Sequence, residues 1–237
     1  PSGDCLPENT LRFYIHFSAA MRSGSSQAHV SLVGPDGRSI EGAFLHLVTE
    51  LWDPDMRRLT VLLHPGRIKR GVGANVAVGP ALLAGQRYSI VVGNGMLDGS
   101  GRPLRQSFQK SFIAAPAVRR PIDPLQWTVS LPAPGTRQPL VLSFPNSLDH
   151  AILSHSLCVV GGTGEPMIGT VDIDASDRRW RFLPDTIWQS GPHQVLIDQR
   201  LEDVCGNTIS AAFDIEGQVG GARARSRHPY ALPFHLG

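Results

Sequence analysis

The sequence has no apolar run approaching the roughly 18–20 residues that a membrane-crossing helix needs. No charged-then-apolar leader stands at Pro1, as in a secreted protein read from its mature start or in a fragment of a longer chain. Cysteine is scarce: Cys5, Cys158 and Cys205 include no C-x-x-C pair, which excludes a disulfide framework and the common zinc and dithiol motifs. Cys5 follows Gly3-Asp4, which is not a lipoprotein cleavage box. The nine histidines are scattered without H-x-H or H-E-x-x-H, and there are only four methionines. No G-x-S-x-G elbow and no G-x-x-x-x-G-K-[ST] loop occurs, which removes the usual hydrolase and nucleotide signatures. The basic residues form no long stripe and lack interleaved aromatics, which argues against nucleic acid as a partner.

What is present is repetition. Phe17, Val30, Gly34, Gly37 and Gly42 recur 127 residues later as Phe144, Leu157, Gly161, Gly164 and Gly169. Tyr88, Asp98 and Gly101 recur 105 residues later as His193, Asp203 and Gly206, so the first copy carries 22 extra residues between Gly42 and Tyr88. Charge is divided between the halves. Residues 1–120 hold 14 Lys+Arg against 8 Asp+Glu, and residues 121–237 hold 8 against 12.

Within each copy, short segments alternate with a period of two. Leu11, Phe13, Ile15 and Phe17 form one inward face, matched by Leu140, Leu142 and Phe144. Further strands are expected at 30–33, 58–63, 88–92 and up to Phe112, and at 127–131, 157–160, 179–183, 193–197 and up to Phe213. With 25 glycines and 19 prolines in recurring turn clusters and no long amphipathic helix, the class is all-β: two tandem β-sandwiches. The boundaries read as 1–115 for the first domain, 116–126 for a Pro-rich linker, 127–216 for the second domain and 217–237 for a tail. An insertion loop at about 64–82 falls in the first. The strand that opens the second domain at Trp127 would have its first-domain equivalent mostly upstream of Pro1. That strand is therefore expected to be missing, its place lying in a longer parent chain or being filled by the tail segment Tyr230–Leu236.

The phrase Phe17-Ser-Ala-Ala-Met21, a glycine turn, Gly85-x-x-Tyr88 and Asp98-x-x-Gly101 resembles the bacterial Ig-like domain of surface-layer and secreted proteins. The second copy carries Phe144 to Leu148 and Asp203-Val-Cys-Gly206-Asn207. Two departures stand out: Arg102 follows Gly101 where Asn is usual, and His193 takes an aromatic position. The resemblance implies a non-catalytic extracytoplasmic structural or binding module of a larger chain, without a cofactor. Its implied partners are other domains of that chain, a surface protein or a glycan.

Candidate functional residues are few. The insertion holds Arg67, Lys69 and Arg70, a basic loop suited either to an anionic partner or to packing. His16, on the outward parity of its strand near Met21, is a candidate metal ligand, since β-sandwiches hold copper with His and Met. Asp98, Glu202 and Asp203 at the glycine turns could bind calcium through loop oxygens, although an Asp in such a turn more often bonds its own backbone. Asp172 and Asp174 alternate with Val171 and Ile173, as on the solvated face of a strand, and Asp177 follows them. Ser147, Asp149, His150 and Ser154 lie close in sequence, which does not make a triad. The alternative reading is a periplasmic protein that binds a metal ion or an anion.

Overall fold

A computed structural model describes residues 3–68, 79–213 and 228–237. The chain divides into two compact units, Gly3–Val118 and Arg119 to Gly237. In the first, β1 (Cys5–Pro7), β2 (Arg12–His16), β3 (Val30–Val33), β4 (Leu51–Trp52), β5 (Arg58–Leu62), β6 (Arg87–Val92) and β7 (Phe108–Ala115) form two sheets, ordered β1-β7-β6-β3 and β2-β5-β4. In the second, β8 (Thr128–Ser130), β9 (Leu140–Ser143), β10 (Leu157–Val160), β11 (Gly169–Ile173), β12 (Arg179–Pro184), β13 (Gly191–Ile197) and β14 (Tyr230–Leu236) give β11-β12-β9-β8 and β10-β13-β14. Counted along the second unit, strands one, two, five and four share one sheet and three, six and seven the other. That is the constant-type immunoglobulin arrangement. The fold is an all-β sandwich.

Alternation builds the layers. In β12, Trp180, Phe182 and Pro184 are buried while Arg179, Arg181 and Leu183 face solvent. Their partners across the second core come from the opposite sheet, Val159 on β10 and Val195 and Ile197 on β13. Each fully buried side chain of this size contributes on the order of 1.5–3 kcal/mol. In the first unit, Phe13 of β2 meets Phe112 of β7 across the layers at 5.7 Å.

Equivalent positions carry equivalent contacts. Tyr88 stacks on Phe112 at 6.0 Å, and His193 stacks on Phe234 at 5.4 Å, so the histidine does what the aromatic does. Phe234, in register with His193, takes the place that Phe112 takes opposite Tyr88.

This pairing corrects two expectations. Tyr230–Leu236 does not serve the first unit; it is the last strand of the second, antiparallel to β13 over seven residues. No strand ends at Phe213, whose N–H donates to Asn207 Oδ1 at 2.9 Å. The first strand of the first unit is also present, as β1, parallel to β7 and held by Ile113 N–H on the Asp4 carbonyl and Glu8 N–H on that of Ala115. Its counterpart β8 instead pairs antiparallel with β9 on the other sheet. Three residues with a proline carry too little alternation to announce such a strand.

The proline-rich segment is tied at both ends. Buried Asn9 accepts from and donates to the Val118 backbone at 3.0 and 2.8 Å, inside the first unit. Ile122 packs into the second core, and its N–H donates to the Thr208 carbonyl at 2.9 Å.

Candidate functional site

The charged loop residues converge on two turns that occur in both units. Asp98 Oδ1 accepts the N–H groups of Ser100 and Arg102, each at 2.9 Å. Asp203 Oδ1 accepts those of Cys205 at 2.8 Å and Asn207 at 2.9 Å, while Oδ2 takes the Asn207 side-chain amide at 2.8 Å. Each aspartate also bridges backbone to backbone with a residue 127 positions apart in the repeat, Asp98 with Met21 and Asp203 with Leu148. Glycine at positive φ completes each turn, Gly101 at 83° and Gly206 at 78°.

Their electrostatics differ. Hydrogen bonds from the Arg102 N–H and the Ser100 hydroxyl hold Asp98 down at about 2. Burial pushes Asp203 up to about 6, against its three hydrogen bonds.

A second pair of turns precedes β5 and β12. Asp53 Oδ1 accepts from Arg57 and Arg58 at 2.8 and 2.9 Å; Asp174 Oδ1 accepts from Arg178 and Arg179 at 2.9 and 3.0 Å. Both turns pass through a left-handed residue, Met56 at φ 56° and Asp177 at φ 57°. Met56 offers its carbonyl to Met21 N–H, and Asp177 offers its own to Leu148 N–H.

Here the second unit adds a polar pair. Asp177 is buried, and its Oδ1 lies 2.6 Å from His150 Nδ1, with the imidazole partly exposed. Burial raises the Asp177 pKa above its ordinary value, and the His150 hydrogen bond opposes that rise.

The neighbouring residues do not extend the pair to a nucleophile. Asp149 caps α1 of this unit, the helix His150–Ser156, by accepting Ile152 N–H at 3.1 Å. Ser147 Oγ donates to the Ser176 carbonyl, and Ser154 Oγ to that of Ala151. The sequence shows Asp149 and Ser147 but not the pairing, because His150 and Asp177 are 27 residues apart.

Arg67 is buried in the first unit, at the end of a 3-10 turn (Pro65–Arg67). Its guanidinium donates to the carbonyls of Glu41 at 2.8 Å, Gly79 at 3.1 Å and Pro80 at 3.3 Å. It binds the chain's own backbone. Lys69 and Arg70 lie outside the described residues. His16 is exposed at the end of β2 in register with Arg58, while Met21 is buried. Glu202 is half-buried, and its carbonyl accepts Asp149 N–H at 2.9 Å. Asp172 is exposed on β11 and lies 3.7 Å from Arg181. Among the described residues, no three His, Cys, Asp or Glu side chains converge as a metal site requires. No described helix is long and apolar enough to cross a membrane.

No family model matches this sequence. A comparison with curated proteins finds no match. Solved structures align over most of the chain at low similarity. A crystal structure of native alpha-2-macroglobulin from Escherichia coli, spanning domains MG0-NIE-MG1, is 11% identical, with 96% of this chain and 67% of that one covered, at a TM-score of 0.29. The S-layer protein rSbsC is 11% identical over 98% of this chain and 40% of its own, at a TM-score of 0.33. A structure of SbsC domains 1–6 is 8% identical over 96% and 39%, at 0.31. The chain thus spans about two fifths of the S-layer chains it aligns with. TM-scores this low assign neither family nor activity.

Proposed function

We propose that the chain is a tandem pair of immunoglobulin-like sandwiches acting as a non-catalytic structural or binding module of a larger cell-surface or secreted protein. The observation that carries this reading is the paired use of acidic side chains. Asp53 and Asp174, and Asp98 and Asp203, sit at equivalent turns and spend their oxygens on backbone N–H groups. Residues that a calcium or catalytic site would need are engaged in holding loops on a rigid frame. Partners of this module are other domains of the parent chain, a surface protein or a glycan.

The reading of a periplasmic metal- or anion-binding protein draws no support from Arg67, whose donors already meet three carbonyls. Brief protease treatment of intact cells making the parent protein tests the location. Cleavage within this module on intact cells is the expected result. Cleavage seen only after lysis of the outermost and inner membranes would overturn it.

A further inference from the structure

The 22 extra residues of the first unit fall in two places, and the smaller one builds a cavity. Ile40 N–H donates to the Leu32 carbonyl as Met167 N–H does to that of Val159, an offset of 127. Leu51 and Trp52 pair with Thr60 and Leu59 as Asp172 and Ile173 pair with Arg181 and Trp180, an offset of 121. Six residues are therefore added between Ile40 and Leu51. In the second unit the chain runs directly into the five-residue β11. In the first it leaves the β5 edge after Leu45 and arches toward the short helix at Ser26–His29.

The arch is anchored. Glu50 Oε1 accepts Ser26 N–H at 2.7 Å, and Oε2 accepts Gly24 N–H at 2.8 Å and Trp52 Nε1–H at 2.7 Å. Gln27 donates to the Leu47 carbonyl at 2.9 Å, and its Oε1 accepts from His46 Nδ1 at 3.0 Å, which in the neutral imidazole leaves Nε2 as an acceptor.

Beneath the arch lies a cavity of about 630 Å³, within the range of small-molecule sites. Leu32, Phe44, Leu47 and Leu59 supply apolar wall. Its polar lining includes His29, His46, Glu41 and Glu50, and no lysine or arginine is among the described lining residues. Burial works to raise the Glu50 pKa, but its N–H donors hold it below the ordinary value, so its negative charge faces neutral partners.

We propose that this cavity binds a small organic ammonium ion with an apolar body. The apolar wall takes the body, while the carboxylates and the His46 acceptor favour an N–H-bearing cation over an anion. The site is separate from the turns that carry the structural reading and stands whether or not that reading holds.

The test is a titration of the full chain with 2-phenylethylammonium, 2-phenylethanol and 3-phenylpropionate, followed by backbone amide NMR shifts. The expected result is saturable shifts at Gln27–His29 and Phe44–Leu47, with the cation binding about tenfold more tightly than either analogue. Glu41→Gln, at an exposed residue, should weaken the cation and spare the alcohol. Leu47→Arg, which sets a fixed cation on the wall, should abolish the shifts while the remaining spectrum stays folded. Equal or tighter binding of the carboxylate, shifts away from these segments, or no saturable shift would overturn the proposal.

Discussion

Asp98 and Asp203 hold the same turn with the same oxygen atom, the first partly exposed and the second buried. Backbone geometry at the two sites is conserved, with the aspartate Oδ1 on the N–H groups two and four residues ahead in each. Only the surroundings differ, and they send the two acidities in opposite directions, to about 2 and about 6.

The second unit should therefore gain stability on mild acidification. Asp203 titrates higher when folded than the ordinary carboxylate, so its contribution is complete below about pH 4 and is lost as pH rises through 6. A rise to about 6 is worth on the order of a few kcal/mol. Asp177, also raised by burial, acts in the same direction. In a Trp52→Phe chain, emission comes only from Trp127, Trp180 and Trp188. Its urea midpoint should rise between pH 7 and 5, and Asp203→Asn should flatten that rise. Asp98 has the opposite sign: its depressed pKa gives stability above the ordinary carboxylate range that is lost only as pH falls through about 2.

Removing His150 leaves the buried Asp177 carboxyl without its imidazole. The chain with His150→Ala should lose about 1–3 kcal/mol in the second unit. Asp177 sits at φ 57°, which glycine adopts freely. Adding Asp177→Gly to His150→Ala should recover most of that loss in a denaturant double-mutant cycle.

Arg67 should behave as a backbone clamp. Arg67→Met strands the carbonyls of Glu41, Gly79 and Pro80 and should lower first-unit stability by about 1–3 kcal/mol. Trp52 emission reports that loss. Added sulfate should stabilise wild type and variant equally, whereas an anion site on Arg67 would give wild type the larger gain.

Gly169 opens β11 in antiparallel register with Pro184 of β12. A Cβ there would lie 2.4 Å from the Leu183 carbonyl and 2.7 Å from the Phe182 ring. Gly169→Ala should cost about 1–3 kcal/mol in the second unit, measured by the same urea titration.

The sheets were legible because inward residues alternate strictly in segments such as Arg179–Pro184. The last strand was not. Phe213 lies 101 residues after Phe112, short of the 105 offset that relates Tyr88 to His193, and the strand that pairs with β13 is Tyr230–Leu236. The site was legible in its residues but less so in its purpose. Asp98 and Asp203 were visible at their glycine turns, and the backbone-capping role follows from turn chemistry. His150 and Asp177 needed the fold to bring two distant loops together. The two-part insertion needed the strand register, which sequence offsets show only as a total of 22 residues.

The central claim is that these aspartates serve the chain's own backbone and not a bound ion. Thermal unfolding of wild type and Asp203→Ala, each with calcium and with chelator, tests it directly. The account predicts that the substitution lowers the second unit's melting temperature and that chelator leaves wild type unchanged. A wild-type melting temperature that falls on chelation, with the effect absent in Asp203→Ala, would contradict it.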